Sequence, residues 1–183
     1  TLLRMNEYQT SRVWFMRFCF AILALTTLFM HLLPLSTLPS AWAMPDLLLG
    51  FAFAWSVRRP DYVPVILLAA LLLLSDLLLQ RPPGLWAVLA LLCCENLKLQ
   101  AHSLRAANFV VEWASVTALI LGAMVIYRLV MAILLIEQPS LGLHLIQTAM
   151  TILSYPFVVF TTHAFMGVRK SIPGDLDTSG GRL

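Results

Sequence analysis

Charge is scarce in this sequence: 12 lysines and arginines and 9 aspartates and glutamates make up only 11% of 183 residues. Soluble domains give about a quarter of their positions to charge, so water cannot be the medium for most of this chain. Cysteine is also rare, with three residues. Cys19, Cys93 and Cys94 lie inside apolar runs at no metal or C-x-x-C spacing, and read as small lipid-compatible fillers. His31, His144 and His163 fall near expected helix ends and His102 in a loop, without a second ligand at metal spacing, so neither a metal nor another cofactor is expected. Missing too are a Ser/His/Asp or Cys/His constellation, a phosphate loop and paired catalytic acids, which argues against an enzyme. Basic residues are not clustered with aromatics, and nucleic acid is not an expected partner.

Present instead is apolar mass: 60% hydrophobic residues and a mean hydropathy of +0.86. The runs are continuous, as in Ala21 to Leu33 and Val63 to Leu79, without the period-2 alternation of an outer-membrane barrel. Helices are the other way to satisfy a backbone in lipid. A hydrocarbon layer of roughly 30 Å takes about 20 helical residues, so the length suits about six transmembrane helices with short loops.

Breaks at charge, proline and glycine place these helices at Val13 to Leu33, Pro45 to Val57, Tyr62 to Leu79, Gly84 to Leu99, Asn108 to Ile136 and Leu141 to Phe165. Together they make one integral membrane domain over residues 1–170, followed by a polar, non-periodic and disordered tail over 171–183. The second segment is short for a span, and the fifth is long enough to tilt. Ala41-Trp42-Ala43 after an apolar stretch resembles a signal-peptide cleavage site, but Val13 to Leu33 exceeds the usual h-region and reads as a span.

With both termini cytoplasmic, Arg4, Arg12, Arg17, Arg58, Arg59, Lys98, Arg105, Arg169, Lys170 and Arg182 all fall inside. Arg81 falls outside and Arg128 within a span, the asymmetry expected of an even span count. Trp42 and Trp86 near the outer boundary and Trp14 near the inner one read as interfacial anchors.

Charges inside lipid are costly and mark where function is sought. Asp46, Asp76, Arg81 and Arg128 all belong to the external half. One reading neutralises Arg128 with Asp76 or Asp46, as a structural pair or as a polar cluster that receives a ligand or partner. The other reading treats them as separate helix-end residues, with Asp46 after Pro45 in a first turn and Arg81 snorkelling. Glu95 and Lys98 sit three apart and can pair. Glu112 follows an Asn108 N-cap, where an acid suits the helix dipole. Ala114, Ala118 and Gly122, and Gly50 with Ala54, have the small-xxx-small spacing that admits a second helix, either within the protein or from a partner.

Two stretches carry a family resemblance: Pro45-Asp46-Leu47-Leu48-Leu49, and Leu74-Ser75-Asp76-Leu77-Leu78 followed by Pro82-Pro83-Gly84-Leu85. Together they resemble the rod shape-determining protein MreD family. Leu72 and Leu68 depart from that pattern, standing where glycines one and two turns before the aspartate are expected. The resemblance implies an all-α membrane protein of six helices, arranged like the substrate-binding subunit of energy-coupling-factor transporters. It further implies a non-enzymatic scaffold of the bacterial inner membrane, bound to an MreC-like bitopic protein and through it to peptidoglycan synthases and MreB. Asp46 and Asp76 are the positions it carries over. The rival expectation is a small-molecule-binding transport subunit, mildly disfavoured because the external half offers few convergent polar groups.

Overall fold

A computed structural model describes residues 2–33, 44–136, 138 and 140–166. The Ala41-Trp42-Ala43 motif, Trp42 as an anchor, and the expected disordered tail lie outside the described residues. The described chain is all-helical: α1 (Leu2–Leu32), α2 (Leu47–Arg58), a 3-10 turn (Pro60–Tyr62), α3 (Val65–Leu78), α4 (Leu85–Leu99), α5 (Ala101–Ala106), α6 (Phe109–Ile133) and α7 (Leu141–Met166). Three of these are long and apolar enough to cross a membrane, through Ser11–Leu32, Phe109–Ile133 and Leu141–Ala164. Helices α2 and α3 are shorter apolar helices of 12 and 14 residues.

The differences from the expected segments have local causes. Pro60 and Pro64 interrupt the backbone after Arg58, so the segment expected from Tyr62 begins at Val65, behind the 3-10 turn. His102, expected in a loop, lies in the six-residue α5. Each end of the bundle is fixed by contacts across chain direction. At the end where α2 begins, Asp46 N donates to Thr151 Oγ1 of α7 at 2.9 Å. Where α2 finishes, Lys98 of α4 donates to Val63 O at 2.7 Å, and Arg17 of α1 donates to Asp61 O at 3.2 Å.

Helix α2 is the centre of the fold. Ala52, Phe53, Ala54, Trp55 and Val57 are completely buried, as a helix apolar on every side must be. A Cβ placed on Gly50 would meet Val158 Cγ2 at 3.4 Å, so glycine lets α2 and α7 come close. Phe20 of α1 packs its ring 5.2 Å from Trp55.

Helix α7 carries Pro156 in its interior. Proline has no N–H, so the carbonyl four residues back loses its helical partner. That carbonyl belongs to Ile152, and the indole Nε1 of Trp113 on α6 donates to it at 3.1 Å. A side chain from a neighbouring helix thus restores the bond, as lipid could not.

Candidate functional site

The four charged residues singled out in the external half do come to one end of the bundle, but with other partners than those expected. Asp46 is the N-cap of α2, and its Oδ1 accepts from Leu49 N at 3.1 Å, satisfying one of the helix's orphan donors. Its other oxygen faces Arg81 Nη1 at 3.6 Å. Asp76, near the end of α3, is completely buried. Its Oδ2 accepts from Gly84 N and Ala87 N, each at 3.0 Å.

Asp76 therefore serves as a borrowed cap for α4. The residue preceding that helix is Gly84, at φ +90°, a left-handed conformation that glycine adopts without strain but that gives no side chain to cap with. The preceding helix supplies the missing acceptor. The expected pairing of Arg128 with Asp76 or Asp46 is corrected accordingly: Arg81 holds Asp46, backbone amides hold Asp76, and Arg128 Nη1 lies 3.4 Å from His144 Nδ1 on α7.

Arg81 and Trp86 also depart from the interfacial roles expected of them. Trp86 is buried, 5.6 Å edge-on from Tyr127, and the Arg81 guanidinium lies 5.5 Å from the indole centroid. Tyr127 in turn meets the His144 ring at 5.9 Å. The result is an aromatic wall running from α4 through α6 to α7.

Between that wall and the start of α2 is an open cleft of about 140 Å³, lined by Asp46, Arg81, Trp86, Tyr127, His144, Gln147, Thr148 and Thr151 together with the apolar Leu49, Ile120 and Leu143. Polar side chains from several elements thus converge at this end of the bundle. Periodicity could not show it, because the lining comes from α2, the α3–α4 turn, α4, α6 and α7. The residues form one surface only after four helix ends meet.

At the opposite end the structure seals charge away. Arg58 Nη2 donates to Glu112 Oε1 at 3.3 Å, and the Tyr155 hydroxyl donates to the same oxygen at 3.0 Å. Glu112 and Tyr155 are completely buried and Arg58 nearly so. Arg58 reads in the sequence as a loop cation and Glu112 as a dipole partner of the first turn. Asn108 does occupy the N-cap position, without a side-chain cap bond, while Glu112 joins α2 and α7. The available signal was register: Glu112 shares the stripe Val116, Ile120, Ala123 and Tyr127, all buried. The pair Glu95–Lys98 forms at 2.7 Å.

The two small-residue spacings have opposite fates. Gly50 and Ala54 are buried against neighbouring helices, whereas Ala114 and Ala118 are exposed and a Cβ on Gly122 would meet nothing within 4 Å. At about 100° per residue, Ala114 sits about 200° around α6 from Glu112, so the buried glutamate turns this face outward. Among the described residues, no group of three or more histidines, cysteines or acids is placed to hold a metal. Comparison with protein-family models, curated proteins and solved structures gives no match to the chain.

Proposed function

We propose that this chain is a six-span, non-enzymatic scaffold of the bacterial inner membrane with both termini cytoplasmic, a member of the MreD family acting in the cell-elongation complex. In this reading it binds an MreC-like bitopic protein and, through that partner, influences peptidoglycan synthesis and cell shape. The observation that carries it is the outward α6 face of Ala114 and Ala118 beside the open space at Gly122. Small residues let a second helix backbone approach closely, the main source of helix association in lipid. The proline-acid start of α2 and the aspartate before the Pro82-Pro83-Gly84 turn add the family likeness. Their roles as helix caps suit a rigid framework with no chemistry of its own. The reading takes α1, α2, α3, α4, α6 and α7 as the six spans, in an arrangement like that of the energy-coupling-factor subunit.

Native-membrane co-purification tests the proposal. An MreC-like protein should accompany the wild-type chain and be lost from Ala118→Leu, whose bulk fills the open face. Recovery of no such partner, together with unchanged rod shape on depletion, overturns it. Cysteine labelling from either side should place both termini inside.

A second reading, a small-molecule-binding transport subunit, is favoured by one observation, the polar cleft at the Asp46 end. It expects a ligand to stay bound through gentle detergent extraction and to appear in mass spectrometry of the purified protein.

A further inference from the structure

The groups lining the cleft are unequal in what they offer. Thr148 and Thr151 spend their hydroxyl protons on the carbonyls of His144 and Gln147, at 2.8 Å each, and bring only acceptor capacity to a ligand. Asp46 is already shared between Leu49 N and Arg81. The Arg81 contact with Asp46 is one approach of 3.6 Å, longer than a hydrogen bond and not the two-pronged grip that a guanidinium makes with a carboxylate. Its planar fork therefore keeps donors for a further oxyanion. Tyr127 and Gln147 line the same cleft, and each side chain carries a donor suited to oxygen.

Geometry and solvent sharpen the selection. The N-terminal ends of α2 and α4 at this end already hold the carboxylates of Asp46 and Asp76, so Arg81 is the group that draws a further negative charge. Leu49, Ile120 and Leu143 make part of the cleft lining apolar. Sites for small amphiphiles combine such an apolar lining with a few convergent polar groups.

We infer that the cleft at the Asp46 end is a binding site for an amphiphilic oxyanion, a phosphate or carboxylate head held by Arg81, Tyr127 and Gln147 with its apolar portion against Leu49, Ile120 and Leu143. The inference does not rest on the scaffold reading or on its partner. Two sources share this chemistry: an anionic lipid of the surrounding bilayer, and a free amphiphilic acid or phosphate monoester.

Thermal stability of the purified full chain, titrated with decyl phosphate, decanol and inorganic phosphate, provides the test. Decyl phosphate should stabilise the protein at lower concentration than either the tail or the head alone. Arg81→Gln should weaken decyl phosphate about tenfold or more, the scale of one charge-assisted hydrogen bond. Tyr127→Phe, which keeps the ring against Trp86 and His144, should weaken it about threefold to tenfold, and covers the case in which Arg81→Gln does not fold.

Native mass spectrometry from nanodiscs of phosphatidylcholine doped with phosphatidylglycerol separates the sources. One retained phosphatidylglycerol, reduced in both variants, assigns the site to lipid. Decyl phosphate binding without retained phosphatidylglycerol assigns it to a free amphiphile. Decanol equal to decyl phosphate, or both variants binding decyl phosphate as the wild type does, overturns the inference. Loss of MreC-like co-purification would leave these titrations unchanged, so the two proposals fail separately.

Discussion

The two ends of the bundle treat charge in opposite ways. At the Arg58 end, a cation, an acid and a phenol from three helices close on one another out of contact with the surroundings. At the Asp46 end, Arg81 and Asp46 meet at 3.6 Å with 20% and 14% of their side chains exposed, beside a cleft. Burying an ion pair stabilises little over an apolar replacement, but losing one partner strands the other charge. The sealed end is therefore where the helices are made to depend on one another, while the open end keeps polar groups within reach of a ligand.

Breaking the sealed end should have the largest effect. Glu112→Gln leaves Arg58 buried without a counter-charge and should cost about 3–5 kcal/mol of unfolding free energy in detergent. The double change Arg58→Met with Glu112→Leu should recover most of that loss. If the double variant is no more stable than the single, the pair is not coupled as described. Next in size is Trp113→Phe, which abandons the Ile152 carbonyl that Pro156 has already deprived of its helical bond. About 1–3 kcal/mol is expected, and Pro156→Ala in the same background should return part of it.

At the open end the effects should be smaller. Asp76→Ala removes the borrowed cap of α4 and should cost about 1–2 kcal/mol, while Arg128→Leu should be milder. That order matches what an Arg128–Asp76 pair would give, but it now arises from two backbone hydrogen bonds at Asp76. The cause can be checked by combining the substitutions, which should add without coupling. Ala118→Leu on the outward α6 face should change stability by less than about 0.5 kcal/mol. An unfolding midpoint well below the wild type's would show that this face is packed after all.

Helices, their order and their breaks were legible because composition and punctuation act locally: proline and charge end an apolar run wherever it folds. Asp46 as a helix start was legible for the same reason, since a cap bonds to residues three positions away. Arg58 with Glu112 was not, because the partners stand 54 positions apart and each has a sufficient local explanation in a loop or first turn. Asp76 was recognised as costly but given the wrong partner. Backbone amides freed by a left-handed glycine leave no charge pattern to read, so the visible arginines attracted the assignment.

Helices α3 and α4 have 14 and 15 residues against 25 in α6, about 21–23 Å of rise against about 37 Å. Leu73, Leu77, Val88 and Leu92 on the shorter pair are exposed apolar side chains, and in a bilayer they would meet acyl chains directly. Leaflets would have to draw together by several ångströms along that flank and relax along the other. Under the six-span proposal, such a lopsided lipid collar would give the protein a preference for membrane that is already thin or bent, independent of any partner it binds.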